Sequence, residues 1–230
     1  MRELLERGGR PAAAALFDCD GLLVDTEPLW GTAMELVLRS LGRETDVDAL
    51  TRELTGASIA RTVERLHALA DTPGLTPHEV EAQLLGRYAE AVAREGVRPM
   101  PGAVELVRAL ARDMPVAVVS NSPEPAVRAV IAAVGLRDEV SAVVGAHGAC
   151  RPKPDPQPYL TACAVLGVRP AACVAFEDSP DGARAAAAAG PRLLVVPAPG
   201  VPAAAYPAGA TLLRSLADVL PDRAPAGEQR

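Results

Sequence analysis

Long apolar runs are missing from this chain of 230 residues, although 49% of its residues are hydrophobic. No stretch approaches the roughly 18 consecutive apolar residues that a membrane-spanning helix needs. The first seven residues carry charges at Arg2, Glu3, Glu6 and Arg7, where a secretory signal would need an apolar segment. We therefore expect a cytoplasmic protein with no membrane partner.

Basic clusters and closely spaced cysteines are also absent. The formal net charge is -6 and no block of Lys and Arg occurs, so nucleic acid is not expected as a partner, because such clusters hold its backbone. The cysteines form no C-x-x-C pair, and we interpret them as buried free thiols rather than as metal ligands. They are Cys19, Cys150, Cys163 and Cys173.

Aromatic residues make up only 3% of the chain, and alanine supplies much of its apolar content, as in the run at 185–189. Small side chains let helices pack closely, which favours a helix-rich α/β protein over an all-β one. The length suffices for one α/β domain, or for a core domain with a smaller inserted one.

The most informative segment is an apolar run that ends abruptly at two acids. Residues 12–17 read Ala-Ala-Ala-Ala-Leu-Phe, and Asp18, Cys19, Asp20 and Gly21 follow. Such a run predicts a buried parallel strand, and ligands of open α/β sheets bind beyond the carboxyl ends of these strands. Two nearby carboxylates repel each other, and a cation such as Mg²⁺ would remove that conflict. The alternative is a pair of ordinary turn or capping acids.

Helical patterns follow one another after this strand, with no second strand between them. Thr76 and Glu79 form a capping box at the start of the last one. Because the series breaks the βα alternation, we predict an all-helical insertion at 28–97. The helical patterns lie at 27–41, 47–54, 59–70 and 76–96.

Alternation of strands and helices resumes near residue 100, which predicts a doubly wound parallel sheet. We expect an α/β core formed by 12–27 and 98–221, with flexible termini at 1–11 and 222–230. Further strands are predicted at 115–119, 140–145, 173–176 and 193–196, and helices at 104–111, 127–134, 159–166 and 182–189.

Polar residues of complementary types follow four of the predicted strands. Transfer of a phosphoryl group to a carboxylate needs a nucleophile, a proton donor, hydrogen-bond donors, a cationic side chain and acids that hold Mg²⁺. Each of these parts is present. The residues are Asp18 and Asp20, Ser120 and Asn121, Lys153, and Glu177 and Asp178.

In order and spacing, four motifs resemble those of the haloacid dehalogenase superfamily, in its phosphatase and β-phosphoglucomutase-like branch with a small helical cap. Each short motif is weak by itself, but their joint occurrence is specific. The resemblance extends from about Leu16 to Leu220. The motifs are Phe17–Gly21, Val119–Ser122, Lys153 before Pro-Asp-Pro, and Phe176–Gly182.

The resemblance implies that Asp18 attacks phosphorus and becomes an aspartyl phosphate. Asp20 would protonate the leaving oxygen and later deprotonate the attacking water. Ser120 and the backbone of Asn121 would hold the phosphoryl oxygens, and Lys153 would offset negative charge on the nucleophile and the phosphate.

A Mg²⁺ site is also implied, formed by Asp178, Asp18 and the carbonyl of Asp20, with Glu177 acting directly or through water. An acid at position 20 is needed to expel an alkoxide from a phosphate ester but not to displace a halide from carbon. The resemblance therefore implies phosphate-ester chemistry rather than dehalogenation.

The implied cap would grip a small phosphorylated metabolite, which we expect to be a sugar or polyol phosphate. The segment Leu54–Ser58 resembles the substrate loop of that cap, with Thr55 and Gly56 inside it. Glu27 and Arg61 are further candidate contacts, and Arg61 has an alternative interpretation as an exposed helix residue. Trp30 is interpreted as a core residue, because it fits the apolar stripe of its helix.

Two other functions remain open. β-Phosphoglucomutases carry an arginine where Ile59 stands here, which favours a phosphatase over a phosphosugar mutase. Phospho-receiver domains combine similar acids with a Ser or Thr and a Lys on a related sheet, but they are much shorter and lack an acid at the position of Asp20. We expect a monomeric phosphatase.

Overall fold

A computed structural model describes residues 6–7, 10–54, 57–145 and 151–220. The six strands of its central sheet are β1 Ala14–Phe17, β2 Val116–Val119, β3 Ala142–Val144, β4 Cys173–Glu177, β5 Arg192–Val195 and β6 Thr211–Leu212. They are parallel and lie in the spatial order β6-β5-β4-β1-β2-β3. The chain builds β2 and β3 on one side of β1 and then crosses to β4 on the other, so β1 lies at the switch point where open α/β sheets bind ligands.

The central strands are buried on both faces, which explains why they are apolar apart from Glu177 at the carboxyl end of β4. In β1, Ala15 and Phe17 face one apolar cluster, whereas Ala14 and Leu16 face the other. Phe17 pairs in register with Phe176 of β4, and the two rings stack with centroids 4.5 Å apart. Helices cover both faces, so the predicted doubly wound α/β fold is confirmed.

The described residues contain eight α-helices, five of which follow β1 before the chain reaches β2, and the first four of these fall in the predicted insertion. The capping box is present, since the Thr76 hydroxyl accepts from the Glu79 N–H and the Glu79 carboxylate accepts from the Thr76 N–H. No helix in these ranges is both long and apolar enough to span a bilayer. The helices are α1 Glu27–Ser40, α2 Val47–Leu54, α3 Ile59–Ala70, α4 Pro77–Glu95, α5 Ala103–Ala111, α6 Glu124–Ala133, α7 Gln157–Leu166 and α8 Pro180–Ala189.

A short antiparallel pair joins the chain segments on either side of the four helices. Val24–Asp25 pairs with Arg98–Pro99, and the Arg98 guanidinium lies 2.7 Å from the Asp25 carboxylate. The sequence does not predict this pair, because two-residue strands have no measurable periodicity.

Some strand boundaries differ from the prediction. The strand predicted at 140–145 covers only 142–144, and β6 was not predicted because it has two residues. Near the amino terminus, Glu6–Arg7 pairs with Arg10–Pro11. Residues 222–230 and Cys150 lie outside the described residues. The other cysteines are free and buried, namely Cys19, Cys163 and Cys173.

Replacement of Gly102 by Ala is expected to destabilise the protein more than the same change at Gly167. Both glycines have positive φ, 80° and 68°, so each Ala costs about 1–2 kcal/mol of backbone strain. A Cβ at Gly102 would also lie 2.7 Å from the Cα of Ala217, whereas nothing lies within 4 Å of one at Gly167. We expect an additional loss of about 1–3 kcal/mol for Gly102→Ala. Urea unfolding measures both variants, and equal losses would contradict this packing.

Candidate active site

The carboxyl ends of three adjacent strands carry the predicted polar residues to one edge of the sheet. Asp18 and Asp20 follow β1, Ser120 follows β2, and Glu177 and Asp178 lie at the end of β4. The parallel strands β2, β1 and β4 are neighbours, so these residues meet although up to 160 positions separate them in the chain. Lys153, just before α7, completes the group.

The Lys153 ammonium is buried at the centre of this group and uses all three of its donors. It donates to Oδ1 of Asp18 at 2.5 Å, to Oε1 of Glu177 at 2.6 Å and to the carbonyl of Val119 at 2.8 Å. Burial lowers the pKa of Lys153, but the charges of Asp18 and Glu177 outweigh burial and raise the net pKa above its ordinary value. The lysine is therefore a permanent cation that links β1, β2 and β4.

The Asn121 side chain fixes the backbone from which this lysine extends. The Lys153 N–H donates to Oδ1 of Asn121 at 2.8 Å, and Nδ2 of Asn121 donates to the Lys153 carbonyl at 3.2 Å. Asn121 was predicted to hold phosphoryl oxygens through its backbone. In the structure, its side chain positions Lys153.

Asp18 is buried in the same cluster. Burial raises its pKa well above the ordinary value, while the charge of Lys153 opposes that rise. Additional positive charge near Asp18 would thus favour its carboxylate form.

Asp20 has a different environment, because its carboxylate accepts hydrogen bonds from three hydroxyl groups of the described residues. Thr26 donates to Oδ1 at 2.7 Å, while Ser120 and Ser122 donate to Oδ2 at 2.8 and 3.0 Å. A hydroxyl can donate to a carboxylate or rotate to accept from a carboxylic acid. These three hydroxyls can therefore hold Asp20 both with and without a proton.

The sequence does not predict two of these hydroxyl contacts, those of Thr26 and Ser122. Thr26 lies at the start of α1 but makes no side-chain cap there, because its hydroxyl is used by Asp20. Ser122 lies two residues after Ser120, which was expected to hold phosphoryl oxygens and here donates to Asp20. The sequence signal available for Thr26 and Ser122 is a hydroxyl residue within a few positions of a predicted site residue.

Tyr159 is a buried hydrogen-bond partner of Glu177 that the sequence does not predict. Its hydroxyl donates to Oε1 of Glu177 at 2.5 Å, the atom that also accepts from Lys153. Burial, followed by the charge of Glu177, raises the pKa of Tyr159 well above its ordinary value, so the phenol keeps its proton. A Cβ at Gly182 would overlap the Glu177 carboxylate, so the glycine leaves room for it.

Three of the acids can hold a metal ion. Oxygens of Asp18, Glu177 and Asp178 all lie within 4.8 Å of one another. Oδ1 of Asp178 is buried, and no hydrogen-bond partner for it exists among the described residues. Burial, with the charge of Glu177, raises the pKa of Asp178 to about 8. An unpaired buried carboxylate among other oxygen donors fits a hard divalent cation.

Gly21 leaves room for the carboxylate of Asp178 in this candidate cation site. Gly21 has a φ of 85°, and a Cβ there would overlap the Asp178 carboxylate.

The two candidate cap residues that the structure describes are exposed. Glu27 is exposed at the start of α1, and Arg61 is exposed in the first turn of α3. Thr55 and Gly56 lie outside the described residues. The exposure of Arg61 agrees with its alternative interpretation as a surface helix residue.

A doubly wound sheet with buried acids and one buried lysine at its switch point defines an α/β protein of the Rossmann-like class. A family model described as haloacid dehalogenase-like hydrolase matches residues 12–190. The chain belongs to this family, and it is a phosphoric monoester hydrolase.

Known proteins resemble the chain over most of their length. Hexitol phosphatase B of Escherichia coli K12 is 38% identical over 193 residues, which are 83% of this chain and 86% of that protein. The fructose-1-phosphate phosphatase of the same organism is 33% identical over 178 residues, 77% of this chain and 93% of that protein. The crystal structure of CbbY from Rhodobacter sphaeroides in complex with phosphate has a TM-score of 0.80 and 28% identity, covering 90% of this chain and 96% of that one.

The cation-free protein is expected to lose stability as the pH rises from about 5 to 8. The pKa of Asp178 is about 8 in the folded protein and 3.8 ordinarily. In this interval the folded state keeps a proton that the unfolded state has released, so unfolding becomes more favourable with rising pH. Asp178→Asn removes this titration, and its free energy of unfolding should depend less on pH.

Urea unfolding in EDTA at both pH values measures the effect. The half-buried acid Asp181 on α8 supplies the matched control, since Asp181→Asn should keep the pH dependence of the wild type. An Asp178→Asn variant with the wild-type pH dependence would contradict the assignment.

Proposed function

We propose that this enzyme is a Mg²⁺-dependent phosphatase that hydrolyses a sugar or polyol phosphate through an aspartyl phosphate. The contrast between its two neighbouring acids carries the proposal. Asp18 contacts an ammonium group that favours its anionic form, as a nucleophile requires, whereas Asp20 contacts hydroxyls that accommodate both protonation states.

In the first half-reaction, an oxygen of Asp18 attacks phosphorus while the bond from phosphorus to the alcohol oxygen breaks. Asp20 donates its proton to that oxygen, so a neutral alcohol leaves. In the second half-reaction, the Asp20 carboxylate takes a proton from water, and the resulting hydroxide attacks the aspartyl phosphate. Inorganic phosphate leaves, and both acids return to their starting states.

Lys153 offsets the negative charge of Asp18 and of the incoming phosphate, and Asn121 holds the lysine in place. Asp18 and Asp178 would hold Mg²⁺, together with the carbonyl of Asp20. Glu177 would act less directly, because its Oε1 already accepts from Lys153 and Tyr159. Bound Mg²⁺ supplies positive charge for the phosphoryl oxygens.

Two observations support a sugar or polyol phosphate as the substrate: the names of the relatives and the presence of helices α1 to α4 after β1. Hexitol phosphatase and fructose-1-phosphate phosphatase are named for phosphorylated polyols and sugars. We propose that residues 28–97 form the cap that contacts the alcohol part of such a substrate, with Val24–Asp25 and Arg98–Pro99 connecting it to the core. A cap of this kind excludes bulk water from the reacting groups.

Asp18→Asn is expected to lower kcat on sorbitol 6-phosphate at least about 10³-fold, because an amide is a poor nucleophile. Phosphate release with Mg²⁺ measures turnover, and intact-protein mass spectrometry after rapid quenching detects the phospho-enzyme. The wild type should give the phosphorylated species and the variant should not. Circular dichroism should show an unchanged fold. Asp181→Asn serves as the control and should keep the wild-type kcat. A variant with appreciable turnover would refute Asp18 as the nucleophile.

Asp20→Asn is expected to affect substrates according to their leaving groups. Formation of the phospho-enzyme from sorbitol 6-phosphate should slow about 10²-fold or more, because an alkoxide must be protonated as it leaves. Its formation from p-nitrophenyl phosphate should slow less, since p-nitrophenolate leaves without a proton. The rate of phospho-enzyme formation from the two esters in a single turnover tests the role, because this rate does not include the second half-reaction that both substrates share. Equal losses of this rate on both would show that Asp20 is not the proton donor.

A further inference from the structure

Trp30 differs from every other aromatic residue of the chain in its exposure. It is partly exposed, although it lies in the first turns of α1 and packs against the apolar core. The other five aromatic side chains are buried, namely Phe17, Tyr88, Tyr159, Phe176 and Tyr206. A role in core packing alone does not require this exposure.

The start of α1 places Trp30 next to the proposed proton donor. The Thr26 hydroxyl donates to Asp20, and the Thr26 carbonyl accepts from the Trp30 N–H at 3.1 Å. Residues one turn apart lie on the same helix face, and helical side chains lean toward the amino end of the helix. The indole therefore leans toward the end of α1 that contacts Asp20.

Tyr88 of α4 lies flat against this indole. The ring centroids are 3.9 Å apart and the planes differ by 20°. Burial raises the pKa of Tyr88, and the charge of Asp20 raises it further, so the phenol lies within the field of the proposed proton donor. Within the described ranges, no hydrogen bond to the Tyr88 hydroxyl is present. Tyr88 is almost completely buried and keeps its proton, so a ligand hydroxyl that reaches it would supply a hydrogen-bond partner that these ranges lack.

We propose that Trp30 and Tyr88 form an aromatic platform that binds the carbon chain of the leaving alcohol. The exposed part of Trp30 covers C–H groups of that chain, and the Tyr88 hydroxyl donates to or accepts from one of its hydroxyls. The inference rests on the proposed phosphatase function and makes it more specific. The platform selects polyol and sugar phosphates over phosphate compounds that lack a hydroxylated chain.

Substrate selectivity tests the platform. The readout is kcat/KM for sorbitol 6-phosphate divided by kcat/KM for acetyl phosphate, which has no hydroxylated chain. Tyr88→Phe keeps the stacked rings and removes the hydroxyl, while Trp30→Leu keeps apolar bulk and removes the indole face. Each variant should lower the ratio about tenfold, mainly through a higher KM for sorbitol 6-phosphate.

Leu38→Ala is the matched control. Leu38 is buried in the same helix, two turns beyond Trp30, so its loss disturbs the packing of α1 without changing the platform. This variant should lower the melting temperature and keep the wild-type ratio. An unchanged ratio in both Trp30→Leu and Tyr88→Phe would overturn the platform.

Fluorescence provides a second test that does not depend on turnover. The chain has one Trp, so its indole emission reports on Trp30 alone. In Asp18→Asn with Mg²⁺, sorbitol 6-phosphate should give a saturable change in emission that saturating inorganic phosphate does not reproduce. Identical responses to the two ligands would count against the platform.

The two tests separate the inference from the proposed function. Wild-type protein that releases no phosphate from either compound refutes the proposed sugar or polyol phosphatase, and a specific emission change with sorbitol 6-phosphate would still support the platform. Normal turnover with neither a selectivity change nor a specific emission change refutes the platform alone.

Discussion

The arrangement of the active site depends on one buried ammonium group. Lys153 contacts Asp18 and Glu177 at 2.5 and 2.6 Å, and its third donor binds the end of β2. Without this cation, two buried carboxylates and the adjacent Asp178 would repel one another in a region of low dielectric constant. Asn121 and Tyr159 serve the same arrangement, because one fixes the lysine backbone and the other donates to the shared oxygen of Glu177. Lys153 therefore holds three strand ends together.

The two acids after β1 are two positions apart in sequence and have different environments. Asp18 is buried beside a fixed cation, whereas Asp20 is partly exposed and surrounded by hydroxyls from three chain positions. This difference gives each acid its proposed task, a nucleophile and a proton carrier. Thr26, at the start of α1, donates its hydroxyl to Asp20 and accepts from the Trp30 N–H. Trp30 in turn stacks on Tyr88 of α4. We infer that substrate selection and proton transfer share the start of one helix.

Local features of the sequence explain which parts of the fold were predictable. The helices follow apolar stripes and local stop or start signals, such as the capping box at Thr76 and the hydroxyl of Ser179 at the start of α8. The pair Val24–Asp25 with Arg98–Pro99 has no such signal, because its partners are about 73 residues apart and only two residues long. Tyr159 and Ser122 were missed for a related reason, since each has the sequence context of an ordinary helix or turn residue.

Strand and helix periodicities are local properties, so the sequence predicts that polar residues follow β1, β2 and β4 and that five helices separate β1 from β2. It also places Asp18, Lys153 and Asp178 among the candidate residues. The contacts of each side chain depend on the tertiary structure: Asn121 holds Lys153, Ser120 donates to Asp20, and Trp30 stacks on Tyr88. These contacts join residues 32 to 100 positions apart, and such pairings depend on the packing of whole elements.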